Sequence, residues 1–262
     1  MENPCVHTRS FTLRFCEMDG RGDVTPTALL NILEDAASTH CDAIGWGVYR
    51  LVSAGFGWVL LRGGLEMARY PAHGESFTVE TWLSEAKRLY GLREYRIKSS
   101  SGEVLGYARS LWAFFSLERK RPAPILDEIV MAWAPEGTRA GALELGEVDF
   151  PADPELSALP GSPSFEVRHS DIDTNGHVNN VNYLGWALEC LPAAFNENYY
   201  LASIRGQFRR EVTYGSSVKA ALAGPDAHGC MRHAVFASSA QGSFLAAAAE
   251  SRWLPRALQA QT

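Results

Sequence analysis

Asp173, Asn175 and His177 stand two residues apart in DIDTNGHVNNVNY (171–183), the densest polar cluster of the chain. A carboxylate, an amide and a group that titrates near neutrality are the parts of a proton-transfer site. The cluster occupies a turn that leads into a helix, where free backbone N–H groups and the positive end of the dipole can polarise a carbonyl or hold an oxyanion. An isolated D-x-N-x-H fits equally an Asx turn with an N-cap, in which Asp and Asn only hydrogen-bond the backbone.

An internal repeat separates these readings. Residues 11–35 lie over residues 165–189 without a gap at a shift of 154, with Phe11/Phe165, Arg14/Arg168, Asp19/Asp173, Gly22/Gly176, Val24/Val178 and Leu30/Leu184 identical. The chain therefore carries a duplicated domain. In the first copy Asp19, Arg21 and Asp23 face Asp173, Asn175 and His177. A turn needed only for folding would serve both copies alike. Persistence of the apolar frame with loss of the Asn and His describes one working site and one retired site. Aligning RYPAHGESF (69–77) with REVTYGSSV (210–218) on Gly74/Gly215 sets Glu211 opposite Tyr70. Glu211 is a further candidate, although an edge-strand carboxylate beside Arg209 and Arg210 would otherwise be ordinary surface.

Each copy reads as a short alternating strand, a polar Gly-containing turn and a helix, followed by four strand-like segments. In the first helix Leu29, Leu30, Leu33, Ala36, Ala37 and Ile44 keep helical spacing; in the second Val181, Leu184, Ala187, Leu188 and Leu191 do. Thr25 before Pro26, and Asn179 or Asn180, are the expected caps. Strands are expected near 57–66, 76–86, 91–98 and 104–117, and near 200–211, 216–223, 230–238 and 243–254. One long helix packed on an antiparallel sheet in each half is an α+β arrangement. The expected domains are 1–131 and 164–262. The proline-rich, acidic segment 132–163 is read as a linker over the surface.

The chain of 262 residues has a net charge of −6, which argues against nucleic acid as the main partner. There is no helix-turn-helix pattern for a DNA-binding regulator. Five scattered cysteines without a C-x-x-C pair argue against a disulfide scaffold and a zinc site, and favour a reducing compartment. His228, Cys230 and His233 match no standard ligand spacing, so neither a metal nor a cofactor is expected. No apolar run is long enough to cross a membrane, and MENPCVHTRSF lacks the apolar core of a signal peptide. Membrane insertion is not expected, and the cytoplasm is the expected location.

DIDTNGHVNNVNYLGWALE followed some twenty residues later by FRREV closely resembles the acyl-ACP thioesterases. Asp173, Asn175, His177, Val178, Asn179 and Asn180 match that family's Asp-x-Asn-x-His-Val-Asn-Asn motif, and Arg209, Arg210 and Glu211 its Arg-Arg-Glu-Cys strand. The resemblance covers roughly 8–255 and implies a tandem double hotdog, each half a helix cradled by an antiparallel sheet. It implies an acyl-binding N-terminal half with a degenerate site and a catalytic C-terminal half. Two positions depart. Val212 replaces the family's Cys and cannot be a nucleophile. Gly176 replaces a larger polar residue, which implies a looser turn.

Without a Cys nucleophile the resemblance implies attack by water on a thioester. Asp173, Asn175, His177 and Glu211 would be the catalytic set, with either His177 or Glu211 as base and backbone amides at the helix start for the oxyanion. Asn179, Asn180, Trp46 and Trp58 are the expected substrate contacts. Acyl carrier protein is acidic, so Arg119, Lys120, Arg121, Arg209 and Arg210 are docking candidates, with a solvated turn as the alternative for the ERKRP run. The implied activity is hydrolysis of acyl-ACP to free fatty acid, ending chain elongation. Acyl-CoA hydrolysis, a non-catalytic acyl-binding module and a hydratase on the same fold are the other readings. A homodimer is the expected assembly.

Overall fold

A computed structural model describes residues 5–134, 137–150, 162–226, 229–239 and 242–256. The chain divides into two compact units, Met1–Leu145 and Gly146–Thr262. In the first, β1 (His7–Thr12), β2 (Phe56–Met67), β3 (Ser76–Lys87), β4 (Tyr90–Ser99) and β5 (Val104–Ser116) form an antiparallel sheet in the order β1-β3-β4-β5-β2, with β6 (Arg121–Pro122) on β5. In the second, β7 (Ser164–Glu166), β8 (Tyr199–Phe208), β9 (Ser217–Ala223), β10 (Cys230–Ser239) and β11 (Gly242–Pro255) run β7-β9-β10-β11-β8. The two orders are the same topology, so the sequence repeat is a structural one.

The helix α1 (Pro26–Ala43) starts where Thr25 Oγ1 accepts from the Ala28 N–H at 3.2 Å and Pro26 presets the first φ. Its buried face is Ala28, Leu29, Ile32, Leu33, Ala36, Ala37 and His40, a 3.6-residue stripe turned to the sheet. A short helix α2 (Val48–Ser53) follows, and α3 (Asp127–Trp133) comes after β6. In the second unit α4 (Asn180–Leu188) has nine residues, against eighteen in α1. Pro192, which has no N–H to donate, separates it from α5 (Ala193–Asn198). The repeat shift falls accordingly from 154 at the turns to 141 at Gly74/Gly215, so the second copy is thirteen residues shorter.

A signature of the duplication lies in the last strand of each unit. Ala-x-Ser-x-Trp occurs at 108–112 and 249–253. Trp112 Nε1 donates to Ser110 Oγ at 2.7 Å, and Trp253 Nε1 donates to Ser251 Oγ at 2.9 Å. Beside each serine is a buried polar ring, Tyr95 hydrogen-bonded to Ser110 and His233 to Ser251. His233 Nε2 lies 2.7 Å from Ser251 Oγ, and its Nδ1 lies 2.9 Å from the Ala187 carbonyl of α4.

Residues 137–150 are more than a surface strap. Trp82 Nε1 donates to the Thr138 carbonyl at 2.8 Å, the Ala140 N–H donates to Glu94, and Leu143 is buried. In the second unit Val148 and Phe150 are buried against Ala221, Ala234, Phe236, Leu245 and Ala248. The alternate residues Val235 and Ala237 pack with Tyr183, Trp186 and Ala187 of α4. Successive strand residues point to opposite faces, so the C-terminal sheet has its helix on one face and this segment on the other. The remainder of the 132–163 linker includes 135–136 and 151–161, outside the described residues.

Candidate active site

The turn before each helix is built identically. The Asp173 N–H donates to the His177 carbonyl at 2.8 Å, and the Gly176 N–H to the Asp173 carbonyl at 3.1 Å. Asp173 Oδ1 accepts from the N–H groups of Asn175 (2.8 Å) and His177 (3.3 Å). In the first unit the Asp19 N–H donates to the Asp23 carbonyl at 2.8 Å, and Asp19 Oδ1 accepts from Arg21 and Asp23 at 2.9 and 3.3 Å. Gly22 and Gly176 take φ of +86° and +79°, a region open to glycine without steric cost. The expectation of a looser turn is thus overturned: Gly176 relieves strain within a fully bonded turn. Asp173 does what Asp19 does, and the difference between the copies lies in the side chains the turn displays. Arg21 binds back onto Asp19 as an ion pair. Asn175 Nδ2 reaches Asp173 Oδ2 at 3.2 Å, and His177 reaches outward.

His177 Nε2 lies 3.2 Å from Glu211 Oε2, with side chains 38% and 59% exposed. Two hydrogen bonds and one β-bridge hold these residues, 34 apart in sequence, in register. The Val178 N–H donates to the Val212 carbonyl at 2.9 Å; the Val212 N–H donates to Tyr183 Oη at 2.9 Å; Ile172 pairs with Val178 across the turn. Glu211 is outside the strand: β8 ends at Phe208, because the N–H groups of Arg209 and Arg210 both turn onto the Ala246 carbonyl, at 2.8 and 3.2 Å. Tyr183 is the positioning residue that sequence reasoning missed. Its ring is buried in the helix-side core, and burial, then the nearby Glu211 and Asp173, pushes its phenol up to about 12. The signal available was its place in α4, one turn after the cap.

The segment beneath the turn is also duplicated. Arg168 grips buried Asp171 with Nε at 3.2 Å and Nη2 at 3.0 Å, while its N–H donates to Oδ2 at 2.8 Å. Arg14 does the same to Glu17. Asp171 in turn accepts on its carbonyl from the Asn179 N–H (2.9 Å) and Asn182 Nδ2 (3.1 Å).

The helix start offers fewer donors than expected. Asn179 is the N-cap, its Oδ1 accepting from the Val181 N–H at 2.7 Å, and the Asn182 N–H donates to the Asn179 carbonyl. Among the described residues the Asn180 N–H is the opening amide without an acceptor, and its side chain has no protein partner either. Of the two asparagines, Asn179 is committed to the helix and Asn180 is open to a ligand.

The other predicted residues lie as follows. Val212 is 1% exposed and packs in the core with Val178 and Tyr183, so its side chain faces away from the polar site. Burial pushes the thiols of Cys41, Cys190 and Cys230 up, Cys190 to about 11, the wrong direction for a nucleophile. Trp46 is buried under the Arg50 guanidinium, and Trp58 packs on Phe114 and Trp133 with ring centroids 4.8 and 5.4 Å away. Arg119 and Lys120 on the β5–β6 turn, and Arg121 at the start of β6, are exposed. Arg209 donates to the Val148 carbonyl and Arg210 stacks 3.9 Å over Phe244, so both have structural duties. His228 lies outside the described residues, among which no group of three His, Cys, Asp or Glu could hold a metal. No described helix is long and apolar enough to cross a membrane.

Residues 4–133 match the model of the acyl-ACP thioesterase N-terminal domain, and residues 160–254 that of the C-terminal domain. Oleoyl-acyl carrier protein thioesterase 1, chloroplastic, of Arabidopsis thaliana is 27% identical over 227 residues, covering 80% of this chain. The chain spans 61% of that relative's length. An acyl-ACP thioesterase from Bacteroides thetaiotaomicron superposes with a TM-score of 0.83 at 22% identity, over 95% of this chain and 98% of that one. The 12:0-ACP thioesterase of Umbellularia californica gives 0.81 at 23% identity, over 96% and 98%. At these identities the two structures establish the double-hotdog fold.

Proposed function

The chain belongs to the acyl-ACP thioesterase family, and from that premise we propose that it hydrolyses the thioester of a long- or medium-chain acyl-ACP to free fatty acid, ending chain elongation. The observation that carries the reading is the 3.2 Å contact of His177 with Glu211. It joins two residues that the first copy replaces by Asp23 and Tyr70, on a turn both copies share.

Glu211 is the base. It is the more exposed partner, and His177 engages Oε2, which leaves Oε1 for a water proton. The water oxygen bonds to the thioester carbon as Glu211 takes the proton, and the carbonyl becomes an oxyanion. The Asn180 N–H and the Asn175 amide are the nearby donors for that charge. Collapse breaks the C–S bond, the thiolate leaves with the carrier, and Glu211 returns its proton to it. His177 holds the carboxylate in place and Asp173 holds the turn. The N-terminal unit receives the acyl chain, with Trp46 and Trp58 in its aromatic cluster. The β5–β6 turn with Arg119 and Lys120, together with Arg121 at the start of β6, is the docking surface for the acidic carrier. Five cysteines with no disulfide among the described residues suit a reducing compartment such as the cytoplasm.

The test is thioester hydrolysis by the purified protein on matched acyl-ACP and acyl-CoA substrates from C8 to C18, with Glu211→Ala and His177→Ala beside the wild type. Preference for acyl-ACP with both folded variants largely inactive is the expected result. Cleavage of neither carrier would sink the reading, and a preference for CoA would overturn the carrier assignment.

A further inference from the structure

Arg93 on β4 is 4% exposed, and a guanidinium stays charged at every accessible pH. No carboxylate among the described residues lies within ion-pair distance of it. Its neighbour Glu94 is taken up by Arg109 Nε (2.8 Å), Ser84 Oγ (3.0 Å) and the Ala140 N–H (3.3 Å). Arg93 has only neutral partners. Nη1 lies 3.0 Å from His40 Nδ1 and 3.2 Å from Thr81 Oγ1, and Nη2 lies 3.8 Å from Cys41 Sγ. His40, whose only charged form is a cation, supplies no counter-charge; it is 2% exposed, and burial, then Arg93, lowers its imidazole to about 3, which keeps it a neutral acceptor. Five N–H donors thus meet three acceptors, one of them a weak sulfur.

The fold does not ask for this charge. Arg93 pairs with Ser110 of β5 as Met231 pairs with Ser251 of β11, so the second copy fills the equivalent buried position with an apolar side chain. A buried unpaired cation is among the costliest features a core can carry. Two further donors accompany it. The guanidinium makes a cation–π contact with Trp133, its carbon 5.6 Å from the ring centroid, which is 5.4 Å from that of Trp58. The indole N–H groups of both tryptophans are buried and have no partner. Around them the cluster is aliphatic and aromatic, with Trp46, Leu51, Phe114 and Ile129.

A buried cation with no anionic partner among the described residues and two unused N–H donors, set in apolar surroundings, are complementary to a molecule with an anionic head and a hydrocarbon tail. We propose that Arg93 is the head-group site for an aliphatic carboxylate whose chain packs in the Trp58–Trp133 cluster. The carboxylate has two chemical sources: a free fatty acid, or the far end of an acyl chain that ends in a second carboxyl group. The site shares the Trp58 cluster with the acyl-chain reading above, and it is defined by binding, which needs no hydrolysis.

Tryptophan fluorescence and calorimetry with dodecanoate and dodecanol test it in the absence of any thioester. Wild type binds the acid at least about tenfold more tightly than the alcohol. Arg93→Met, which installs the residue of the second copy, removes that preference and leaves dodecanol binding in place. Should Arg93→Met not fold, Trp133→Phe, which removes one donor, weakens dodecanoate and spares dodecanol. Equal binding of acid and alcohol by wild type, or unchanged acid preference in the variants, overturns the proposal and leaves internal water as the partner of Arg93. The sources are told apart with dodecanoyl- and 11-carboxyundecanoyl-pantetheine as competitors. Tighter binding of the carboxylated thioester identifies the chain end, and tighter binding of the free acid alone identifies the fatty acid. Acid binding without cleavage of any thioester would remove the proposed function and keep this site; cleavage without acid preference would do the reverse.

Discussion

Truncating Glu211 or His177 should abolish turnover while leaving the fold intact, and the structure sets both magnitudes. The His177 and Glu211 side chains are 38% and 59% exposed, so solvent screens the pair and its loss costs about 0.2–1 kcal/mol of stability. For a chain of this size that is a fall of less than about 4 °C in Tm. A positioned base supplies roughly 10²–10⁴-fold, equivalent to about 3–5.5 kcal/mol of barrier. Glu211→Ala and His177→Ala should therefore each lower kcat by that factor with KM nearly unchanged. Because His177 acts through Glu211, the double variant should be no slower than the worse single. The assay is steady-state hydrolysis of one acyl-ACP by the four proteins, with melting curves from the same preparations. A double variant slower than either single by a further factor of about 100 would refute the pairing, since independent losses multiply. So would a loss of activity that tracks a loss of structure.

Asp173→Ala and Asp19→Ala each remove the acceptor of two backbone N–H groups; chemical denaturation should find similar losses of about 0.5–2 kcal/mol, while only Asp173→Ala slows hydrolysis. Tyr183→Phe leaves the Val212 N–H buried without an acceptor and should cost about 1–3 kcal/mol, read by melting, together with a fall in kcat as Glu211 loses its support. The Tyr183 phenol is pushed up to about 12, so its neutral form stabilises the fold below pH 10, and that contribution is lost as pH rises through 12; Tyr183→Phe should flatten this alkaline decline in Tm. Burial lowers His233 to about 4, so the unfolded chain takes up its proton first. Stability is full above pH 6.5 and falls by on the order of 3 kcal/mol as pH drops through 4, and His233→Gln should make that acid slope shallower.

The duplication was visible in sequence because the turn frame repeats without a gap, and the strands because Phe77, Val79, Thr81 and Leu83 alternate. The 13-residue shortening was harder to see: it falls between conserved stretches, where α4 stops at Leu188. Asn175, His177 and Glu211 could be singled out by contrast with Arg21, Asp23 and Tyr70. The contrast could not say that Asp173 serves the backbone, since both copies keep it. Nor could it reveal Tyr183, whose role depends on an oxygen meeting an amide 29 residues away. The helix-start amides were overcounted because capping by Asn179 is a side-chain event that spacing alone leaves open. Arg93 escaped attention for the opposite reason: in LREYRIK it reads as one more strand arginine, and only burial makes it unusual.

The identical turns before α1 and α4 also bear on how such a chain can change over time. Asp19 accepts from the backbone N–H groups of residues 21 and 23, which any side chain at those positions would leave in place, so a site mounted there could be erased by surface substitutions that cost the fold little. Return is harder. Arg21→Asn and Asp23→His restore the display, but the third position is Tyr70, which is 6% exposed where Glu211 is 59%. A carboxylate set into that buried place would lose its hydration. The architecture thus works as a ratchet: each hotdog can lose its chemistry through its surface, and can regain it only by reopening its core.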